Sequence, residues 1–319
     1  MHFQLFRCCV PLVALVLLLP AAVRAQQVPL TGVVVDAASE QAIPFAVVEI
    51  RSRHVGVQAT EQGTFSLVLP STITATDSLQ VSSLGFISQV LPLPSASPCR
   101  LTLRPLSVAL PEAVVRPPGP PVVLDPTANG GRSGFASGNM RSVGSKAWQV
   151  GRKFETSHRG VFHAVRFYVK PNFHCGKTSV KAPFRVRLYA ADGVNGAPGT
   201  DLLTASVLTA ASRSGWHEVD LRRYQVAVPA VGFYVAMEWL YTDGSFGCEY
   251  TYSTAGEKAK KTGYAYGPSL GGYYDSTPSS TWYLTAGYPW QPFTHRSIPR
   301  VTDKDEVHSA AIQAIIQPD

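Results

Sequence analysis

One pentapeptide in the sequence has the spacing of a serine nucleophile. Gly267-Pro268-Ser269-Leu270-Gly271 matches G-x-S-x-G, in which a sharp strand-to-helix turn presents the serine hydroxyl. The following GYYDSTPSS starts no helix, and no parallel α/β scaffold surrounds it, so a serine hydrolase is the remote reading. Asp192-Gly193-Val194-Asn195-Gly196 sets oxygen ligands two residues apart, as a calcium loop begins. It lacks the distal bidentate Glu of an EF-hand. The same residues suit a tight Asp-Gly or Asn-Gly turn. A structural calcium ion is the one cofactor left open. His158, His163, His174, His217, His295 and His308 are not spaced as a zinc pair, and His174 beside Cys175 is the one close His/Cys pair. No metal site is expected from so few ligands.

The strongest signal is aromatic. Tyr264, Tyr266, Tyr273, Tyr274, Trp282, Tyr283, Tyr288, Trp290 and Phe293 fall close together, separated by Gly and Ser as in a loop-like stretch. Exposed Trp and Tyr rings can lie flat against the C–H faces of sugars. They also anchor protein interfaces, and alternate rings can simply fill a core. The candidate ligand-binding residues are Tyr273, Tyr274, Trp282, Tyr283, Tyr288 and Trp290. Trp282 and Tyr283 are adjacent and point to opposite faces of a strand, so one of them lies outside the core.

These residues sit in a chain of short alternating strands. GVFHAVRFYVK sets Val165, Phe167 and Val169 against Arg166, Tyr168 and Lys170. APFRVRLYA turns Phe184, Val186 and Leu188 inward and Arg185, Arg187 and Tyr189 outward, as a half-buried strand requires. VGFYVAMEWL is apolar on both faces except at Glu238, and AAIQAIIQ reads as a closing strand. Eight or so strands without a convincing helix predict a jelly-roll-like sandwich over 135–319. Upstream, turn-bounded strands at about ten-residue spacing predict a second antiparallel sandwich over 28–116. Between them RPPGPP opens a Pro/Gly-rich linker over 117–134, an extended spacer by composition. The fold class is therefore all-β, with two antiparallel β-sandwich domains. Cys175 and Cys248 lie in turn-rich contexts of the second half and form the candidate disulfide, which leaves Cys99 over.

The first half carries a family resemblance. Gly32-Val-Val-Val-Asp36, Ile43 to Ile50 (IPFAVVEI), Gly63-Thr-Phe-Ser-Leu67, Val81 to Phe86 (VSSLGF) and Leu101-Thr-Leu103 follow in order. This series resembles the carboxypeptidase regulatory-like domain, a transthyretin-like β-sandwich. Leu110-Pro111-Glu112-Ala113-Val114-Val115 is similar to the family's closing pattern. The resemblance implies a secreted or outer-membrane protein of a Gram-negative bacterium. It does not imply peptidase chemistry, because no His here has Glu three residues later, the pattern that opens the zinc site of metallocarboxypeptidases. The run from PFRVRLY through GWHEVDL to FYVAMEWL is similar to uncharacterised sandwich domains that accompany this module.

Residues 1–25 have the form of a cleavable signal: Arg7 in the n-region, an apolar run from Val10 to Leu19, and Val23-Arg24-Ala25 at the cleavage site. The run is short of the ~20 residues of a membrane span, and no later stretch is apolar enough to be one. The mature chain is expected to start near Gln26, in the periplasm, at the cell surface or outside the cell. Losing Arg7 and Arg24 lowers the net charge from +7 to +5. The densest basic cluster, Lys258, Lys260 and Lys261, reads as a solvated loop. No nucleic-acid partner is expected. Charged residues are only 15% of the chain, and 26 Gly and 25 Pro exclude coiled coils and helical repeats. The expected function is a non-catalytic exported binding protein, with a glycan as ligand. The alternative is a structural or protein-interaction component of the cell envelope.

Overall fold

In a computed structural model, residues 29–106, 119–125, 130–131, 133–138, 147–242, 244–254, 256, 259–275, 280–294 and 307–319 are described. The signal segment 1–25, the start near Gln26, the 110–115 closing pattern, His295 and Lys258 lie outside the described residues.

The described chain is all-β, and its helical pieces are short 3-10 turns. The N-terminal unit packs two four-stranded sheets into a sandwich. One holds β1 (Leu30–Asp36), β4 (Thr64–Leu67), β6 (Phe86–Ile87) and β8 (Cys99–Pro105) in the order β4-β1-β8-β6. The other holds β2 (Val47–Ile50), β3 (Val55–Gln58), β5 (Ser78–Ser82) and β7 (Gln89–Pro92) in the order β3-β2-β5-β7. Alternate residues supply the core between them: Val48 and Ile50 from β2, Phe65 and Leu67 from β4, Leu79 and Val81 from β5, Leu101 and Leu103 from β8. One pair departs from the antiparallel expectation: β1 and β8 run parallel, Gly32 opposite Cys99 and Asp36 opposite Leu103. A parallel pair needs a crossover, and the chain supplies it by building the second sheet in between.

The C-terminal unit packs a six-stranded sheet on an eight-stranded one. The six-stranded sheet holds β11 (Trp148–Phe154), β13 (Phe184–Ala190), β14 (Val207–Thr209), β16 (Phe233–Trp239), β19 (Thr281–Thr285) and β20 (Gln291–Pro292), in the order β14-β13-β16-β11-β19-β20. The eight-stranded sheet runs β10 (Ser133–Gly138), β18 (Lys261–Asp275), β12 (Gly160–Lys170), β22 (Ile312–Pro318), β9 (Val122–Leu124). It also pairs β15 (Gly215–Asp220) with β12, and β17 (Gly247–Tyr252) and β21 (Val307–Ala310) with β18. Phe184, Val186 and Leu188 meet Phe162, Phe167 and Ile316 in the core between the sheets. Burying a side chain of this size contributes about 1.5–3 kcal/mol. Cys175 and Cys248 form a disulfide with Cα atoms 5.3 Å apart, and Cys99 is a free thiol.

Two expectations change here. The spacer expected over 117–134 is partly sheet: Val122–Leu124 pairs with β22 and Ser133–Gly138 with β18. The prolines stop at Pro121, so Val122, Val123 and Leu124 regain backbone donors and apolar side chains that an open sheet edge can take. The aromatic stretch is not loop-like either. Tyr264, Tyr266, Tyr273 and Tyr274 belong to the 15-residue β18, where the small residues are packed between neighbouring strands.

Candidate functional site

The six-stranded sheet positions the site. In β13, β16 and β11 every second residue points away from the core. Across the sheet this outer face sets Arg185 opposite Glu238 and Glu238 opposite Gln149, then Arg187 opposite Ala236 and Ala236 opposite Gly151. Gly151 in turn faces Trp282. Alternation alone predicts a solvated face; instead the second sheet of the N-terminal unit stands over it. Gln58 Nε2 donates to Glu238 Oε1 and to the Trp239 carbonyl, both at 3.3 Å. Arg185 donates to the Pro44 carbonyl at 3.4 Å and lies 5.7 Å from the Phe45 ring.

A buried charge network results. Glu238 is fully buried, and its Oε2 accepts from Arg185 at 3.3 Å and from Arg187 at 3.0 Å. Arg187 also pairs with Asp201, and Arg185 donates to Ser206 at 3.0 Å. Burial pulls the Arg185 guanidinium below its ordinary value, and the Glu238 carboxylate pulls it back up. Burial pushes the Asp201 carboxyl up against the pull of Arg187. It also holds the Tyr189 phenol above its ordinary range, so Tyr189 is a neutral donor, bonded at 2.8 Å to Gln149 Oε1.

Beside this contact the two units leave a cleft of about 1010 Å³. Small-molecule sites run to about 300–1,000 Å³, so the cleft has room for an extended ligand. Trp282, Tyr288 and Trp290 all line it, together with Gln149, Arg187 and Tyr189. Trp290 meets Tyr189 edge-on at 5.4 Å, and Trp282 meets Tyr234 edge-on at 6.0 Å. Two small residues, Gly151 and Ala236, open the space for these rings. A Cβ on Gly151 would stand 3.1 Å from that of Ala236 and 3.7 Å from Trp290.

The N-terminal unit supplies the opposite wall. Glu49 and Arg51 line the cleft from the end of β2, and Gln80 and Ser82 from β5. Glu49 Oε2 accepts from the Gly287 N–H at 2.8 Å. His54 donates from Nδ1 to the Gly287 carbonyl at 3.3 Å, and its ring stacks on Tyr288 at 4.7 Å and 14°. Gly287 has φ +88, and a Cβ there would stand 2.6 Å from Val55 N, so this joint requires glycine.

The six candidate aromatics thus divide. Trp282, Tyr288 and Trp290 share one cleft, while Tyr273, Tyr274 and Tyr283 are placed elsewhere. Tyr283 packs between Trp148 and Phe293 on the core side of β19, since adjacent strand residues face opposite ways. Tyr273 donates to Asp125 at 3.1 Å and lies 5.3 Å from the Arg152 guanidinium, helping to hold the linker against the sheet. Tyr274 stacks on His308 at 5.1 Å. Glu49, Arg51 and Gln149 are cleft residues that belong to no motif in the sequence.

The remaining motifs lie in a strand, a turn and a disulfide-linked segment. Ser269 is buried in the middle of β18, opposite Lys170, and no strand-to-helix turn presents its hydroxyl. Asp192 accepts from Thr200 N at 2.8 Å and from Thr200 Oγ1 at 2.7 Å, while Asn195 takes φ 57 in the turn. His174 stacks on Tyr250 at 3.6 Å, and Cys175 is in the disulfide.

No family model and no curated protein matches this chain. Among solved structures it is similar to the clostridial cysteine protease Cwp84 after propeptide cleavage. The two are 13% identical, with 83% of this chain and 52% of that chain covered at a TM-score of 0.37. It is also similar to the cysteine protease and lectin-like domains of Cwp84, described as a surface layer associated protein of Clostridium difficile. There the identity is 12%, covering 83% of this chain and 46% of that chain, with a TM-score of 0.36. This chain spans about half the length of these chains. No helix among the described residues is long and apolar enough to cross a membrane.

Proposed function

We propose that this is a non-catalytic, exported binding protein whose inter-unit cleft holds a glycan. The observation that carries the reading is the convergence of Trp282, Tyr288 and Trp290 on one cleft with Gln149, Gln80 and Ser82. Sugars need apolar platforms for their C–H faces and amide or hydroxyl partners for their rims, and this cleft combines both. The mid-strand burial of Ser269 favours a binder over a hydrolase.

The N-terminal sandwich is read as a carboxypeptidase regulatory-like domain on the ordered residue blocks that carry the resemblance. With residues 1–25 read as a signal, that resemblance supports a location in the periplasm, at the cell surface or outside a Gram-negative cell. A glycan array followed by affinity electrophoresis tests the binding. We expect retention by at least one polysaccharide class and loss of it in Trp282→Ala and Trp290→Ala. Absence of retention on every glycan, with specific capture of one envelope protein instead, would replace this reading with the interaction-component one.

A further inference from the structure

Resting on the glycan reading, we propose that Arg51 is a carboxylate clamp in the cleft, so that the ligand is an acidic glycan carrying uronic acids. Among the described residues, three arginines line the cleft: Arg51, Arg185 and Arg187. Two have both terminal nitrogens engaged within the protein. Arg185 is bonded to Ser206, Glu238 and Pro44, and Arg187 to Glu238 and Asp201. Arg51 differs. Its Nε donates to Glu49 Oε1 at 2.8 Å, and none of its described hydrogen bonds uses Nη1 or Nη2. Its side chain is 63% exposed, whereas that of Glu49 is 6% exposed.

The local build explains this presentation. Arg51 opens the 3-10 turn Arg51–Arg53 that follows β2, and there its Nε reaches back to the carboxylate of Glu49 in the strand. Both Glu49 oxygens are engaged, one by the Gly287 N–H and the other by Arg51 Nε. The carboxylate therefore orients Arg51 without covering its outer edge. The joint at Gly287 and Tyr288 fixes that wall against the other unit. A guanidinium held through Nε offers two parallel N–H donors in one plane, which match a planar monoanionic carboxylate bidentately. Of the cleft's own carboxylates, Asp201 is paired with Arg187, and Glu49 has both oxygens engaged. Trp282 and Trp290 would take the pyranose faces while Arg51 reads the C6 carboxylate.

Calorimetry on the full chain tests this with glucuronate, galacturonate and mannuronate oligosaccharides, each beside its carboxyl-reduced counterpart. A charge-assisted bidentate contact predicts a preference of about tenfold to a hundredfold for one uronate series over its reduced form. The preference should shrink as salt is raised. Arg51→Gln should abolish it, so that the variant binds a uronate and its reduced form equally; a lower melting temperature is expected as well, because buried Glu49 loses one of its two partners. Arg51→Lys should restore it in part, because the charge returns without the fork. Equal affinity for a uronate and its reduced form, or a preference that survives Arg51→Gln, overturns the clamp. So does failure to bind any of the three uronate series. In each of these cases, array retention that depends on Trp282 and Trp290 would leave the glycan reading standing. Absence of any glycan retention would remove both.

Discussion

The two faces of the six-stranded sheet come from the same strands and differ in how they are buried. The inner face carries Phe184, Val186, Leu188 and Met237, all without solvent exposure, against the other sheet of its own unit. The outer face carries Arg185, Arg187, Glu238, Gln149 and Tyr189, and it too is largely covered, by a unit folded from a distant part of the chain. The inner face is held by apolar contact, which is non-directional and tolerates repacking. The outer face is held by polar groups that must each find a partner once water is excluded. One strand thus serves a core on one side and a shaped, partly open site on the other.

The largest expected effect tests the outer face. Glu238→Gln leaves Arg185 and Arg187 without their shared carboxylate, and breaking a buried pair in this way costs about 3–5 kcal/mol. Denaturant unfolding should show that loss together with loss of ligand binding. Phe184→Ala on the inner face should cost a similar amount, about 3–5 kcal/mol. Its ligand affinity should stay intact when measured under conditions where the variant remains folded. The double change Arg185→Met with Glu238→Leu sharpens the contrast. Replacing both members of a buried pair by apolar groups is often neutral or better, so it should cost less than Glu238→Gln alone. A double variant less stable than Glu238→Gln would show that the outer face depends on its charges as much as the inner face depends on its packing.

Away from this sheet, the Cys175–Cys248 bond closes a loop of sequence separation 73. Cys175→Ser with Cys248→Ser should lower stability by about 2–4 kcal/mol in denaturant titration, with ligand affinity kept. The smallest effect is a pH dependence in the N-terminal unit. Arg53 and then Ser52 hold the Asp77 carboxyl well below the usual carboxylate range, and the Thr74 N–H adds to this. A folded-state pKa below the unfolded value of about 3.9 means that the stabilisation is complete above that pH and is lost as pH falls further. Melting temperature followed from pH 6 downward should drop below about pH 4. In Asp77→Asn that drop should be shallower, with a lower starting value.

Much of the fold was legible because strand alternation is local. Phe184, Val186 and Leu188 could be assigned to a core from their spacing, and so could Val165, Phe167 and Val169. The opposition of Trp282 and Tyr283 was legible for the same reason. The strand at Val122–Leu124 was hidden behind a run of prolines. The parallel β1–β8 pair was hidden because register between strands far apart in sequence leaves no local trace. Among the candidate aromatics, composition could not separate Trp290, which lines the cleft, from Tyr274, which stacks on His308.

What the sequence by itself determined is which residues share a face, since side-chain direction in a strand follows from a period of two. Only the tertiary structure decided which faces water reaches. Arg185 and Arg187 read as the outward side of a half-buried strand, and Glu238 as the one break in a strand apolar on both faces, whether or not another unit stands above them. Their burial rests on contacts such as Gln58 to Glu238, 180 residues apart. Such a contact depends on how two folded surfaces fit, and no short window of sequence contains both sides of it. The same docking sets Arg51 and Trp290 in one cleft, so the candidate site belongs to neither sandwich alone.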